Sequence, residues 1–241
     1  MSRALIAAFA FVVGCSVAVP PALAQAPKAE EVKAAVPALD AMHEVIMPMW
    51  HDAWPKKDYK ALAGMVPDLE RHVAALDKAE LPGILRDKQT RWMAGVGDLK
   101  ATVAAFKAAA EGGKNDELLK AAEKLHMQYE GLVKLVRPVL KEMEDFHASL
   151  YVLYHYQTNP LALADATKTI EAMKVKMDTL NKAALPDRMK AKTDAFNAQR
   201  ARLSSAVDAL LALLPGKNDL RIKEAIELMH TEYEKLDRVF E

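Results

Sequence analysis

Cysteine is nearly absent from this chain of 241 residues: the only one is Cys15. If the segment before Gln25 is removed, none remains, which excludes disulfides, thiolate metal sites, thiol catalysis and thioether-linked haem. Net charge is absent too. Lys and Arg together number 33, as do Asp and Glu, so no field favours nucleic acid or an anionic membrane surface. Past the N-terminal segment, no apolar run approaches the roughly 18 residues a membrane span needs. There is no period-two strand pattern, and no Gly-x-Ser-x-Gly, His-Glu-x-x-His or Gly-rich phosphate loop. An enzyme is therefore not expected.

What is present begins with an export signal. Arg3 supplies a positive start, Ala4 to Val13 an apolar stretch, and Ala22-Leu23-Ala24 a small-x-small cleavage site. Residues 1–24 are thus expected to be a signal peptide, and the rest to be exported to a bacterial periplasm. Val12-Val13-Gly14-Cys15 also resembles a lipobox, so lipidation at Cys15 and an outer-membrane lipoprotein is the alternative.

A shift of 104 residues then superposes His43 on His147, His51 on His155, His126 on His230, Tyr129 on Tyr233 and Glu130 on Glu234. The hexapeptides Leu125-His126-Met127-Gln128-Tyr129-Glu130 and Met229-His230-Thr231-Glu232-Tyr233-Glu234 are the clearest pair. Six of the seven histidines match in this way; His72, opposite Lys176, does not. The expected organisation is a tandem duplication over 30–137 and 138–241. Apolar residues recur at helical spacing through 36–54, 59–76, 89–110 and 117–136, and again through 140–156, 162–180, 188–213 and 220–240. The fold class expected is all-α: two tandem antiparallel up-down-up-down four-helix bundles, with the first and last helix of each as neighbours.

His43, Met47 and His51 form a narrow stripe, since each step of four rotates only about 40° around a helix. Beside Leu39, Ile46, Trp50 and Trp54, that stripe is expected to face inward, as are His126 and His230 on their helices. Three inward histidines per unit point to a transition-metal site, because neutral imidazole suits zinc, copper and nickel. Glu130 follows His126 by one turn, and Glu234 follows His230, a spacing at which both side chains can reach one cation. Residues eight apart lie about 12 Å apart along the axis, so His43 and His51 do not readily share one ion. The preferred first-unit set is His43, His126 and Glu130, with Met47 or Asp40 nearby and His51 as a further ligand. The matching second set is His147, His155, His230 and Glu234. Pro48 kinks the first helix and alters the reach of His51. Trp50 has become Tyr154 and Met47 has become Tyr151 while the histidines stay, which favours a shared ligand over shared packing.

Each unit resembles the cytochrome c prime and cytochrome b562 group of periplasmic four-helix bundles. It shares a Leu-Pro break before helix three, a Gly turn, and a last helix ending in His-x-x-aromatic. The resemblance implies that His126 and His230 stand at the haem-ligand position. The Cys-x-x-Cys positions, however, hold Ala122 and Leu125, then Ile226 and Met229, so no covalent haem is expected. A haem b held by Met47 and His126 is one alternative; a ligand-free structural or interaction bundle is another. The partner expected is a metal ion, with self-association left open.

Overall fold

A computed structural model of the protein describes residues 26–240. The signal peptide expected over 1–24, with Cys15, lies outside the described residues. The described residues are mostly helical, with no strand among them beyond an isolated bridge between Thr158 and Leu161. No helix among them is long and apolar enough to cross a membrane.

The chain runs α1 (Pro37–Pro48), α2 (Tyr59–Gly64), α3 (Val66–Asp77), α4 (Gln89–Glu111), α5 (Asn115–Val136), α6 (Lys141–Val152), α7 (Leu163–Leu180), α8 (Thr193–Leu213) and α9 (Asp219–Arg238). Local chemistry accounts for several boundaries. Pro37 opens α1 at a position where its missing N–H costs nothing. The carboxylate of Asp58 accepts from the Ala61 N–H, and Asn218 accepts from that of Arg221, capping α2 and α9. The helix expected over 59–76 is split at Met65, because Pro67 in the first turn of α3 cannot continue a preceding ladder.

Two departures from regular helix shape the surroundings of the histidines. Residues Met49–Ala53 and Leu153–Gln157 form single π-helical turns that extend α1 and α6. The Trp54 N–H donates to the Met49 carbonyl, five residues back, at 2.9 Å. Pro48 precedes the first of these turns, but Val152 stands at the matching place before the second. The proline is therefore not what creates them. A second kind of insertion is the 3₁₀ segment Gly83–Lys88, matched by Asp187–Lys192.

α1 packs on α3 and α5, α3 on α4, and α4 on α5; α6 packs on α7, α7 on α8, and α8 on α9. The apolar faces produce two core clusters. One runs from Val36 to Val136 around Trp92 and Phe106, the other from Leu140 to Leu236 around Phe146 and Phe196. Full burial of each such side chain is worth about 1.5–3 kcal/mol. Tyr151 breaks the division: it belongs to α6, yet is 2% exposed within the first cluster. The segment Gly83–Lys88, with Ile84 and Leu85 buried, packs against α6 and joins the two halves.

His72, the unmatched histidine, is 5% exposed on α3 between Leu69 and Leu76. No hydrogen bond, ion pair or ring contact engages it among the described residues. Its ring nitrogens are not among the fully buried unsatisfied atoms of the described residues, so water reaches them.

Candidate functional site

The matched histidines are distributed differently from the inward stripe that helical spacing predicts. His43 and His51 are exposed, as is His155; His126, His147 and His230 are half-buried. Met47 is 50% exposed. For His51 and His155 the cause is the π turn, which widens the helix and rotates the residues within it off the α-helical register.

Each histidine of the last helix lies flat against an aromatic ring of the first. His126 stacks on Trp50 with centroids 4.2 Å apart and planes at 7°; His230 stacks on Tyr154 at 4.0 Å and 12°. The reciprocal pairs also repeat, with His43 on Tyr129 at 6.0 Å and His147 on Tyr233 at 4.3 Å. The twice-used His-x-x-Tyr therefore clasps α5 to α1, and α9 to α6, through two stacks each. Position 50/154 changed from Trp to Tyr but kept the aromatic face that the imidazole needs. Both halves thus make the same imidazole–aromatic packing, so the Trp-to-Tyr difference does not favour a shared ligand over shared packing.

The two halves differ in what surrounds these stacks. In the second, His147, His155, His230, Tyr151, Tyr233 and Glu234 line one cavity of about 150 Å³. His155 lies 6.5 Å from His230, centroid to centroid, and 4.7 Å from Tyr151. His230 Nδ1 is 3.7 Å from Oε1 of Glu234, whose Oε2 accepts from Arg238 at 3.2 Å. The cavity is closed from the first half by Gly83, Ile84, Arg86 and Asp87. At Gly83 the approach is so close that a Cβ would fall on the Tyr151 hydroxyl, 2.7 Å from ring carbon Cζ. Arg86 donates to the Tyr151 hydroxyl and to the Gly83 carbonyl, with its guanidinium over the Tyr151 ring. Lys88 pairs with Asp237 at 2.8 Å, both side chains largely buried. Tyr156 donates to Glu31, tying the N-terminal 3₁₀ turn Ala29–Val32 to the same junction.

Burial sets the electrostatics. Part of His147 faces the cavity, but the ring is packed deeply enough that burial pushes its pKa down to about 3, with Lys88, His230 and His155 adding to the effect. His155 falls to about 4, through burial and then Arg86 and His230. In the first half, burial lowers the His126 pKa, partly offset by Glu130. Burial raises the Asp87 carboxyl, assisted by Asp237 and Glu234 and opposed by Lys88. The Tyr233 phenol, 5% exposed, is raised well above its usual value by burial.

Sequence spacing thus identified His147, His155, His230 and Glu234, which the fold gathers around one cavity. It missed Gly83, Arg86, Asp87 and Asp237, whose arrival depends on how the halves dock. The only signal was Gly83 itself, matched by Asp187 and so not a shared turn residue. Among the described residues, no three His, Asp or Glu side chains already stand at ion-ligating separation. For the haem pair, His126 has one ring face covered by Trp50, and Met47 shows half its surface to solvent. Compared with known proteins, the chain matches no family model, no curated protein and no solved structure.

Proposed function

We propose that this is an exported protein of two tandem four-helix bundles that binds a transition-metal ion, zinc or copper, for handling rather than turnover. The observation that carries this reading is the cavity in which His147, His155 and His230 meet Glu234. Imidazole nitrogens with one carboxylate form a borderline donor set suited to zinc and copper and poorly suited to magnesium or calcium. Exposed His155 sits at the cavity and can turn toward an ion without disturbing the core. The first half offers no comparable argument, since His43 and His51 stand on its exposed surface; the second-half site is the one proposed.

Zinc titration of metal-free protein by calorimetry tests this. One equivalent is expected to bind to the wild type and to be lost in His155→Ala, whereas His51→Ala, the matching change in the first half, leaves it in place. Loss of nothing in His155→Ala would overturn the assignment. A second reading, a ligand-free scaffold, is supported by the four imidazole–aromatic stacks, which give His43, His126, His147 and His230 a packing role without any ion. Absence of zinc binding by the wild type would favour it.

A further inference from the structure

The cavity holds more donors than the matched histidines. Of the charged groups around it, the cations are committed: Arg86 to Tyr151 and the Gly83 carbonyl, Lys88 to Asp237, and Arg238 to Glu234. Asp87 is held only by its own backbone N–H and the field of Lys88, and no hydrogen bond or ion pair joins its carboxylate to another described side chain. The Tyr233 hydroxyl, in a residue 5% exposed that lines the same cavity, also lacks a hydrogen-bond partner among the described residues. Its oxygen is not among the fully buried unsatisfied atoms, so it is open to water in the cavity. A carboxylate without a side-chain partner, a phenol open to the cavity and three imidazoles around one small space suit a hydrated cation better than an anion. The ion would take the carboxylate, and a water on it would take the hydroxyl.

Resting on the metal reading, the geometry points to Asp87 as a ligand that the first half contributes to the ion site of the second, so that the site is built once per chain and spans both halves. Asp87 is well placed for this by its element. The segment Gly83–Lys88 is anchored on one side by buried Ile84 and Leu85 and on the other by the Lys88–Asp237 pair, which hold residue 87 at the cavity. Its residue is exposed as well, so it stands where an ion would enter. The matching position in the outer segment is Ala191, which has no donor, and no Tyr151 counterpart closes over the first half's histidines, because Met47 stands there. The first half therefore has no counterpart of either Asp87 or Tyr151 beside its histidines. Carboxylate, imidazole and water together make a mixed oxygen and nitrogen shell, which favours zinc over copper(I).

The test uses the full chain, metal-free, titrated with zinc, and separately with cobalt(II) as a visible probe. The arms are wild type, Asp87→Asn, Asp87→Glu and His155→Ala. Wild type is expected to bind one equivalent. Asp87→Asn should weaken it by roughly tenfold or more and move the cobalt d–d bands, while Asp87→Glu recovers part of the affinity. The metal-free unfolding midpoint of Asp87→Asn should stay near wild type, because an Asn side-chain oxygen can keep the hydrogen bond from the residue's own backbone N–H. If wild type and His155→Ala behave as the metal reading requires but Asp87→Asn binds zinc like wild type, the shared-site inference is overturned and the metal reading stands. The same follows if affinity falls with the cobalt spectrum unmoved, which would place Asp87 outside the ligand shell. If wild type binds no zinc, the metal reading itself fails and takes this inference with it.

Discussion

Between pH 7.5 and 4.5, chelator-treated protein is expected to lose about 2–3 kcal/mol of stability through His147 alone. Its pKa in the fold is about 3, against about 6.5 for an unfolded histidine. The folded pKa is the depressed one, so the unfolded chain takes up a proton that the folded chain refuses. The contribution is complete above pH 6.5 and declines as pH falls from there toward 3, at about 1.4 kcal/mol per pH unit. Two units below 6.5, the loss is about 2.7 kcal/mol. Burial is the leading cause, and Lys88, His155 and His230 face the ring and oppose its charging. His155 adds to the effect in the same direction; being exposed, it contributes less than its own shift suggests. His147→Phe keeps a ring to stack on Tyr233 and removes the titration. Urea unfolding of both proteins at the two pH values isolates the effect: the gap between them should close by about 2–3 kcal/mol in favour of the variant as pH falls. An unchanged gap would mean the imidazole is far better solvated than its packing implies.

Gly83→Ala is expected to cost about 1–3 kcal/mol, a large penalty for one methyl group. The added carbon would fall on the Tyr151 hydroxyl and lie 2.7 Å from its Cζ, and Tyr151 is 2% exposed and held by Arg86. Neither partner can yield cheaply, because the ring is enclosed in the first core cluster and the 3₁₀ segment is tied down by Ile84, Leu85 and Lys88. The effect is specific to this contact, which a double-mutant cycle reveals. Tyr151→Met, the residue found at the matching position 47, removes the rigid ring, and in that background Gly83→Ala should cost less than about 0.5 kcal/mol. Equal costs in the two backgrounds would show that residue 83 is strained for some other reason.

Much of the helix layout could be read from apolar spacing, as α4, α5, α7 and α9 begin and end within a few residues of expectation. The histidine faces could not. Helical arithmetic at 100° per residue places His51 and His155 inward, and each lies in a π turn that breaks that arithmetic. The stacks were half legible: Tyr129 and Tyr233 were visible as repeated partners, but the role of position 50/154 depends on which ring meets which imidazole across two helices. The cavity wall contributed by Gly83–Asp87 was not legible at all, since it arises where residues roughly 65 apart are brought together between halves, and no local periodicity encodes that meeting.

The junction also bears on how many such units can be joined. A contact in which one unit's 3₁₀ segment docks on the next unit's first helix is head-to-tail, and a head-to-tail contact that recurs without closing builds a fibre. The outward-facing surfaces of this chain have lost each half of it. Ile84 and Leu85 are replaced by Arg188 and Met189, Gly83 by Asp187, and the receiving Tyr151 by Met47; the Lys88–Asp237 pair becomes Lys192 and Val133. A charged residue in place of a buried isoleucine and a missing counter-ion make copying the internal contact between molecules unfavourable. These differences between the two halves therefore disfavour making the internal contact between molecules.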